Sequence, residues 1–234
     1  MKFASQMKEL WYRLCRWILI RPAKRDTYLS SLAECPSFLP PAKPDCILER
    51  TVFPMRVITG SARGRKLKTP ENYDIRPTTD NVKEALFNII QFDIEGRRVL
   101  DLFAGTGQLG IEALSRGAKS CVFIDESREA VKIVKENLKA CGLSAPVLQE
   151  NALNYLRRGE RFDLIFVDPP YDAGLYEPVL NTLVSVDNLS DGGIMICEAR
   201  REAELPELPA PYRKGKEYRY GKVKICIYTK ESQL

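Results

Sequence analysis

The tetrapeptide Asp168-Pro169-Pro170-Tyr171 closes the apolar run Leu164-Ile165-Phe166-Val167. A strand cannot continue through two prolines, because neither donates a ladder hydrogen bond and each fixes φ. The sequence therefore sets a carboxylate, a stiff turn and an aromatic ring together at one strand end. That set suits an exocyclic amine on a nucleobase, a poor nucleophile because its lone pair is delocalised into the ring. The Asp168 carboxylate can accept one N–H and the Pro169 carbonyl the other, which holds the amine and localises that pair. Pro170 keeps the turn rigid, and Tyr171 offers a flat face to a base pulled from its stack. A rigid turn with a surface tyrosine is the plainer alternative, and Asp172 reads as a turn residue only.

A second constellation lies in VLDLFAGTG, residues 99–107, an apolar strand that breaks into glycines and opens a helix. Gly105 and Gly107 let the backbone approach a ligand where a Cβ would collide. Read as Gly-Thr-Gly, the pattern stops short of a dinucleotide fingerprint. Asp101 before it, with Phe103 between, would sit badly beside a pyrophosphate but well beside an ammonium, such as that of S-adenosyl-L-methionine (SAM). Asp125 ends the next strand, placed for ribose hydroxyls. Asn151 and Ala152 end the third, where an amide and backbone groups can meet an adenine edge. Each alone reads as a cap or turn former; three successive strand ends together favour a bound nucleoside.

The elements that must position these groups alternate. Strands are expected at 97–103, 119–125, around APVLQEN, at FDLIFVD and at 192–199, with helices between and a closing hairpin split at Tyr220-Gly221. This pattern implies a mostly parallel, doubly wound α/β sheet of the Rossmann-like kind, with strand four beside strand one. Ahead of it, MRVITGSARGRKLKTP reads as a basic hairpin. The segment from Arg76 follows with Thr79, Asp80 and Asn81 as helix N-caps and Val82, Ala85, Leu86, Ile89 and Ile90 on one face. Three regions result: a poorly ordered leader or early start over 1–54, an RNA-binding extension over 55–96, and a catalytic domain over 97–234.

Composition narrows the chemistry. The chain has no histidine, which removes Ser-His-Asp and Cys-His machinery and most catalytic zinc sites. Its seven cysteines form no CxxC pair and sit mostly in apolar patterns, which argues for a reducing cytoplasm and against a metal site. Basic residues gather at the ends: 18 Lys and Arg against 11 Asp and Glu in residues 1–98, and 7 against 2 in 211–234. An acidic centre with basic flanks suggests contact with a polyanion. Arginines interrupt the apolar stretch at 7–22 too often for a membrane span.

The pairing of MRVITGSARGRKLKTP, RPTTDNVKEALFNII, DLFAGTGQLGIEALSRGA and FDLIFVDPPY resembles the bacterial family that methylates N2 of guanine 966 in 16S ribosomal RNA. The resemblance spans about residues 55–230. It implies a class I SAM-dependent methyltransferase with a seven-stranded sheet, and a monomer that acts on the assembling small subunit. Asp101, Phe103, Gly105, Gly107, Asp125, Asn151 and Ala152 would then bind SAM, and Asp168 to Tyr171 would form the catalytic loop. Family members often carry an acidic residue where this chain has Asn151. Arg56, Arg63, Arg65, Lys66, Lys68 and Arg76 would contact RNA. DPPY alone is shared by amino-methyltransferases of DNA, RNA and protein. A DNA adenine-N6 methyltransferase and a non-catalytic SAM-binding RNA-binding protein are therefore the rivals. No segment is long enough for a separate DNA-recognition domain.

Overall fold

The computed structural model describes residues 55–70, 77–171 and 173–232. The expected leader over 1–54, the candidate RNA contact Arg76 and the turn residue Asp172 lie outside them. Residues Thr51–Leu234 belong to one compact unit. No helix among the described residues is long and apolar enough to cross a membrane.

Seven strands form one sheet: β1 (Arg98–Asp101), β2 (Ser120–Asp125), β3 (Val147–Gln149), β4 (Phe162–Val167), β5 (Leu189–Arg200), β6 (Tyr212–Tyr220) and β7 (Val223–Lys230). Their order is β3-β2-β1-β4-β5-β7-β6. The first five are parallel, and β7 runs antiparallel between β5 and β6. Strands β1 and β4 lie side by side, with Asp101 level with Phe166. The central strands are buried on both faces, which is why they read as nearly unbroken apolar runs.

Strand alternation sends successive side chains to opposite faces. Val99, Phe123, Leu164, Phe166 and Ile196 meet a first apolar cluster, and Leu100, Ile124, Ile165, Val167, Met195 and Cys197 a second. The first is covered by the hairpin, helix α1 (Pro77–Ile89), α2 (Gln108–Ser115) and α3 (Arg128–Cys141). The short α4 (Ala152–Leu156) and α5 (Tyr176–Val186) cover the second. Phe87 of α1 is fully buried, its ring centroid 5.8 Å from that of Phe166. Burying a ring of this size contributes on the order of 2–3 kcal/mol. Cys121, Cys197 and Cys226 are buried thiols, as their apolar neighbourhoods suggested.

Two expectations need correction. Helix α1 begins at Pro77, so Thr79, Asp80 and Asn81 lie inside its first turn rather than before it. Proline is well suited to the first helical position, where its missing N–H would have no partner anyway. The third strand stops at Gln149, and Asn151 instead caps α4, accepting from the N–H groups of Leu153 (3.0 Å) and Asn154 (3.2 Å).

The basic hairpin forms, but loosely. Arg56 and Lys66 make a single antiparallel bridge. Val57 N–H donates to Arg65 O (2.9 Å) and Leu67 N–H to Met55 O (2.8 Å). Its anchorage comes from elsewhere. Met55, Val57, Ala62 and Leu67 are buried in the first cluster, while Arg56, Arg63, Arg65, Lys66 and Lys68 face outward. The fully buried Glu112 carboxylate of α2 accepts the N–H groups of Ile58 (2.7 Å) and Thr59 (3.0 Å). Asn137 of α3 accepts from Lys68 N–H (2.6 Å) and donates to Lys68 O (3.0 Å) and Thr106 O (2.9 Å).

Candidate active site

Toward the carboxyl ends of β2, β1, β4 and β5 stand Asp125, Asp101, Asp168 and Glu198, with Asp101 level with Phe123 and Phe166 and so two residues short of the other three. Alternation puts all four on the face of the first apolar cluster, since Phe123, Val99, Phe166 and Ile196 point there two residues earlier. The four carboxylates do not share one environment.

Asp101 is almost wholly buried and accepts Gly110 N–H at 2.9 Å. Burial pushes its pKa up to about 7, the Gly110 bond opposes this, and the nearby Asp125 adds to it. Asp168 stands well above the usual carboxylate range, first through burial and then through Glu198 and Asp101. Among the described residues no hydrogen bond lowers it. Burial also raises Glu198, against one bond from the Tyr171 hydroxyl at 3.3 Å. Carboxyls raised chiefly by burial at one sheet end are placed to receive a cation or N–H donors. Asp125 differs: its two oxygens accept Gly105 N–H and Ser127 N–H, each at 2.8 Å. It thereby ties the glycine loop to the start of α3.

The turn after β4 is held by Ala173 N–H donating to Pro170 O at 3.0 Å. Pro169 is buried and Pro170 exposed. Tyr171 is 37 % exposed, with the Arg200 guanidinium 5.6 Å from its ring centroid. Tyr176 fixes the neighbouring strand by donating its hydroxyl to Glu198 O at 2.7 Å. The structure thus brings Asp101, Asp168, Pro169 and Tyr171 to one end of the sheet with the glycine loop.

That loop corrects the reading of its glycines. Gly105, Gly107 and Gly110 complete the G-x-G-x-x-G spacing, which the shorter Gly-Thr-Gly reading overlooked. Both of the first two have positive φ. A Cβ on Gly105 would meet nothing within 4 Å, so that backbone is open to a ligand. A Cβ on Gly107 would press on Val134 and Ile111 at 3.1 and 3.2 Å, so its need for glycine comes from the fold itself. On Gly110 it would fall 2.3 Å from the Phe123 ring, and glycine there lets α2 lie close on β2.

Other assignments shift. Phe103 is partly buried against the second apolar cluster, so packing already accounts for part of its ring. Asn151 caps α4 with its amide oxygen and donates its amide nitrogen to Glu126, so its side-chain amide is already engaged within the fold. Of the outward cations, Lys68 is paired with Glu136 at 2.7 Å.

The sequence reading did not single out Glu198 or Gln108. Glu198, like Asp168, follows an apolar run, Ile194 to Cys197, although β5 continues past it to Arg200. Recognising its neighbour required the order of the sheet. Gln108 opens α2, and its Oε1 is buried without a hydrogen-bond partner. An open glycine backbone, an orphan acceptor and acidic groups raised chiefly by burial fit the amino-acid and nucleoside parts of SAM.

Comparison with known proteins places this geometry in context. The family model described as Conserved hypothetical protein 95 matches residues 55–229. The chain is 42% identical over 182 residues to YlbH of Bacillus subtilis (strain 168), covering 75% of this chain and 99% of that protein. It is 38% identical over 181 residues to Ribosomal RNA small subunit methyltransferase D of Escherichia coli (strain K12), covering 76% of this chain and 91% of that protein. The solved structure of yhhF from Escherichia coli is similar with a TM-score of 0.67 and 37% identity, over 77% of this chain and 100% of that one.

Proposed function

The chain belongs to the Conserved hypothetical protein 95 family, and from that premise we propose that it is a SAM-dependent ribosomal RNA methyltransferase. The proposed acceptor is N2 of guanine 966 in 16S rRNA of the assembling small subunit, in the cytoplasm. One observation carries the reading: Asp168-Pro169-Pro170-Tyr171 ends β4 beside β1, whose own end is Asp101 and the glycine loop. The two strand ends that must meet for amine methylation are neighbours.

When bound, SAM supplies a methyl group on a positively charged sulfur that departs as a thioether. The chain's residues do the rest. Asp101 and the orphan Gln108 acceptor would hold the amino-acid part, and Gly105 and Asp125 the ribose. A cation held beside Asp101 and Asp168 draws both carboxyls back toward the ionised form. Asp168 and the Pro169 carbonyl then accept the two N2–H groups of a flipped guanine, and Tyr171 stacks on its face. With SAM bound, Asp168 would take up one N2 proton as the methyl group is transferred, the electron pair of the broken S–CH3 bond remaining on the departing thioether. Rate comes from positioning and polarisation.

The exposed cations of the hairpin support an RNA partner. Arg56 and Lys66 are directly opposed across the bridge, an arrangement of like charges that destabilises a hairpin unless an anion lies over it.

The test is to incubate the protein with tritiated SAM and small subunits from cells lacking it, then map the label. N2-methylguanine at position 966 is expected. Label on adenine N6 of DNA, or SAM binding without transfer to any nucleic acid, would overturn the proposal.

A further inference from the structure

Glu198 has no part in the amine-holding step, yet it lies near the end of β5, on the strand next to Asp168. We propose that Glu198 makes the site selective for guanine, by accepting the N1–H of the flipped base while Asp168 and Pro169 hold its 2-amino group. This rests on the amine-methylation reading above and extends it to the choice of base.

Three observations support it. Strands β4 and β5 are parallel with Val167 opposite Cys197, so Asp168 and Glu198 emerge one step later as direct neighbours. Phe166 and Ile196 both face the first apolar cluster, so the two carboxylates project on one face. The Tyr171 hydroxyl donates to Glu198 Oε1 at 3.3 Å, which sets this carboxylate beside the ring on which the base stacks. A carboxylate has about four acceptor positions, so the tyrosine bond leaves room for another donor.

The chemistry of the bases supplies the selectivity. Guanine carries an N–H donor at N1 beside its amine. Adenine and cytosine carry a bare ring nitrogen beside theirs, and its lone pair would point at the Glu198 carboxylate. Acceptor against acceptor in a desolvated site excludes both. Two acceptors side by side on neighbouring strands match the two adjacent donors that guanine alone presents.

2-Aminopurine tests this, because it keeps the reactive amine and lacks N1–H. Small subunits would be reconstituted with guanine or 2-aminopurine at the methylated position, and kcat/KM measured for each. The wild-type protein should prefer guanine by at least about 100-fold. Glu198→Gln keeps the shape and can donate to a bare N1, so its preference should shrink to within about ten-fold. A second readout needs no turnover: with S-adenosyl-L-homocysteine present, 2-aminopurine fluorescence should report tighter binding to Glu198→Gln than to wild type. Tyr171→Phe should keep the wild-type ratio. An unchanged ratio in Glu198→Gln, or an equal loss on both bases, would overturn the proposal and leave Glu198 a support for Tyr171. If wild type puts no methyl on guanine N2 at all, the amine-methylation reading itself falls and takes the proposal with it.

Discussion

Glu112 and Asp168 are carboxylates of one domain, the first fully buried and the second half-buried just past a strand end, and they are treated in opposite ways. Glu112 is fully buried, yet accepts from Ile58 N–H, Thr59 N–H and, at 2.8 Å, Arg116 Nε. Asp168 has no hydrogen bond lowering its pKa among the described residues and is raised by burial and by two acidic neighbours. A satisfied buried charge holds chain segments together; a frustrated one is kept for something that arrives later. The hairpin side of the molecule is therefore architecture, and the strand-end side is chemistry.

The sharpest way to break that distinction is Asp168→Ala. Methyl transfer should fall on the order of 10³-fold or more in single-turnover measurements, as for a lost transition-state partner. SAM binding by calorimetry should persist, and the melting temperature should not drop, because one of several repelling carboxylates is gone. Wild-type turnover in this variant would mean that Asp168 is not the amine acceptor.

Glu112→Ala should do the reverse. It leaves Arg116 without its ion-pair partner and two hairpin N–H groups without an acceptor, a loss of about 3–5 kcal/mol for a broken buried pair. Urea unfolding measures it directly. A variant as stable as wild type would show that the hairpin is held by its apolar side chains alone.

Much of the chemical side was legible because its signals are local. The prolines after Val167, the glycines after Asp101 and the alternation of strands and helices gave the neighbouring strands β1 and β4 and the turns that follow them. What escaped depends on residues far apart in sequence. Glu198 becomes a neighbour of Asp168 only once β5 is known to flank β4. Glu112 and Asn137 sit in helices that read as ordinary amphipathic pattern, and their partners lie 53 to 69 residues upstream. Asn151 was misplaced by two residues of strand, since a cap and a strand end share residue types. Gly110 was overlooked for a different reason: it lies inside a helix, where the eye follows apolar spacing rather than glycines.

A smaller effect follows from Asp101. Its folded pKa of about 7 lies above the unfolded carboxylate value of 3.8. The folded state therefore holds a proton that the unfolded state releases, and this contribution is present at low pH and lost as pH rises from about 4 through 7. Asp101→Asn keeps an acceptor for Gly110 and never ionises. Its stability should gain on that of the wild type as pH rises from 5 to 8, seen as a widening gap in melting temperature of the ligand-free proteins. A constant gap would place Asp101 with the satisfied carboxylates, on the side of Glu112.

The smallest effect per residue is expected at the hairpin's outer surface. Its inner side is fixed by Glu112, Ser115 and Asn137, so the outer side chains can be changed without unfolding it. Lys68 is paired with Glu136, which makes Arg63, Arg65 and Lys66 the better candidates for phosphate contacts. Such contacts are individually replaceable and act by releasing counterions, so each adds a little affinity and roughly one unit of salt slope. Neutralising the three with glutamine should weaken binding to small subunits and flatten the slope of log K against log salt by roughly three. SAM affinity should stay unchanged and the melting temperature should not fall, because neither the glycine loop nor the buried anchors are touched and the repulsion between Arg56 and Lys66 is relieved. A fall in stability would mean that the outer face, too, is architecture. An unchanged salt slope would move the RNA contact to the second basic element, β6 and its turn, where Arg213, Lys216, Arg219 and Lys222 lie.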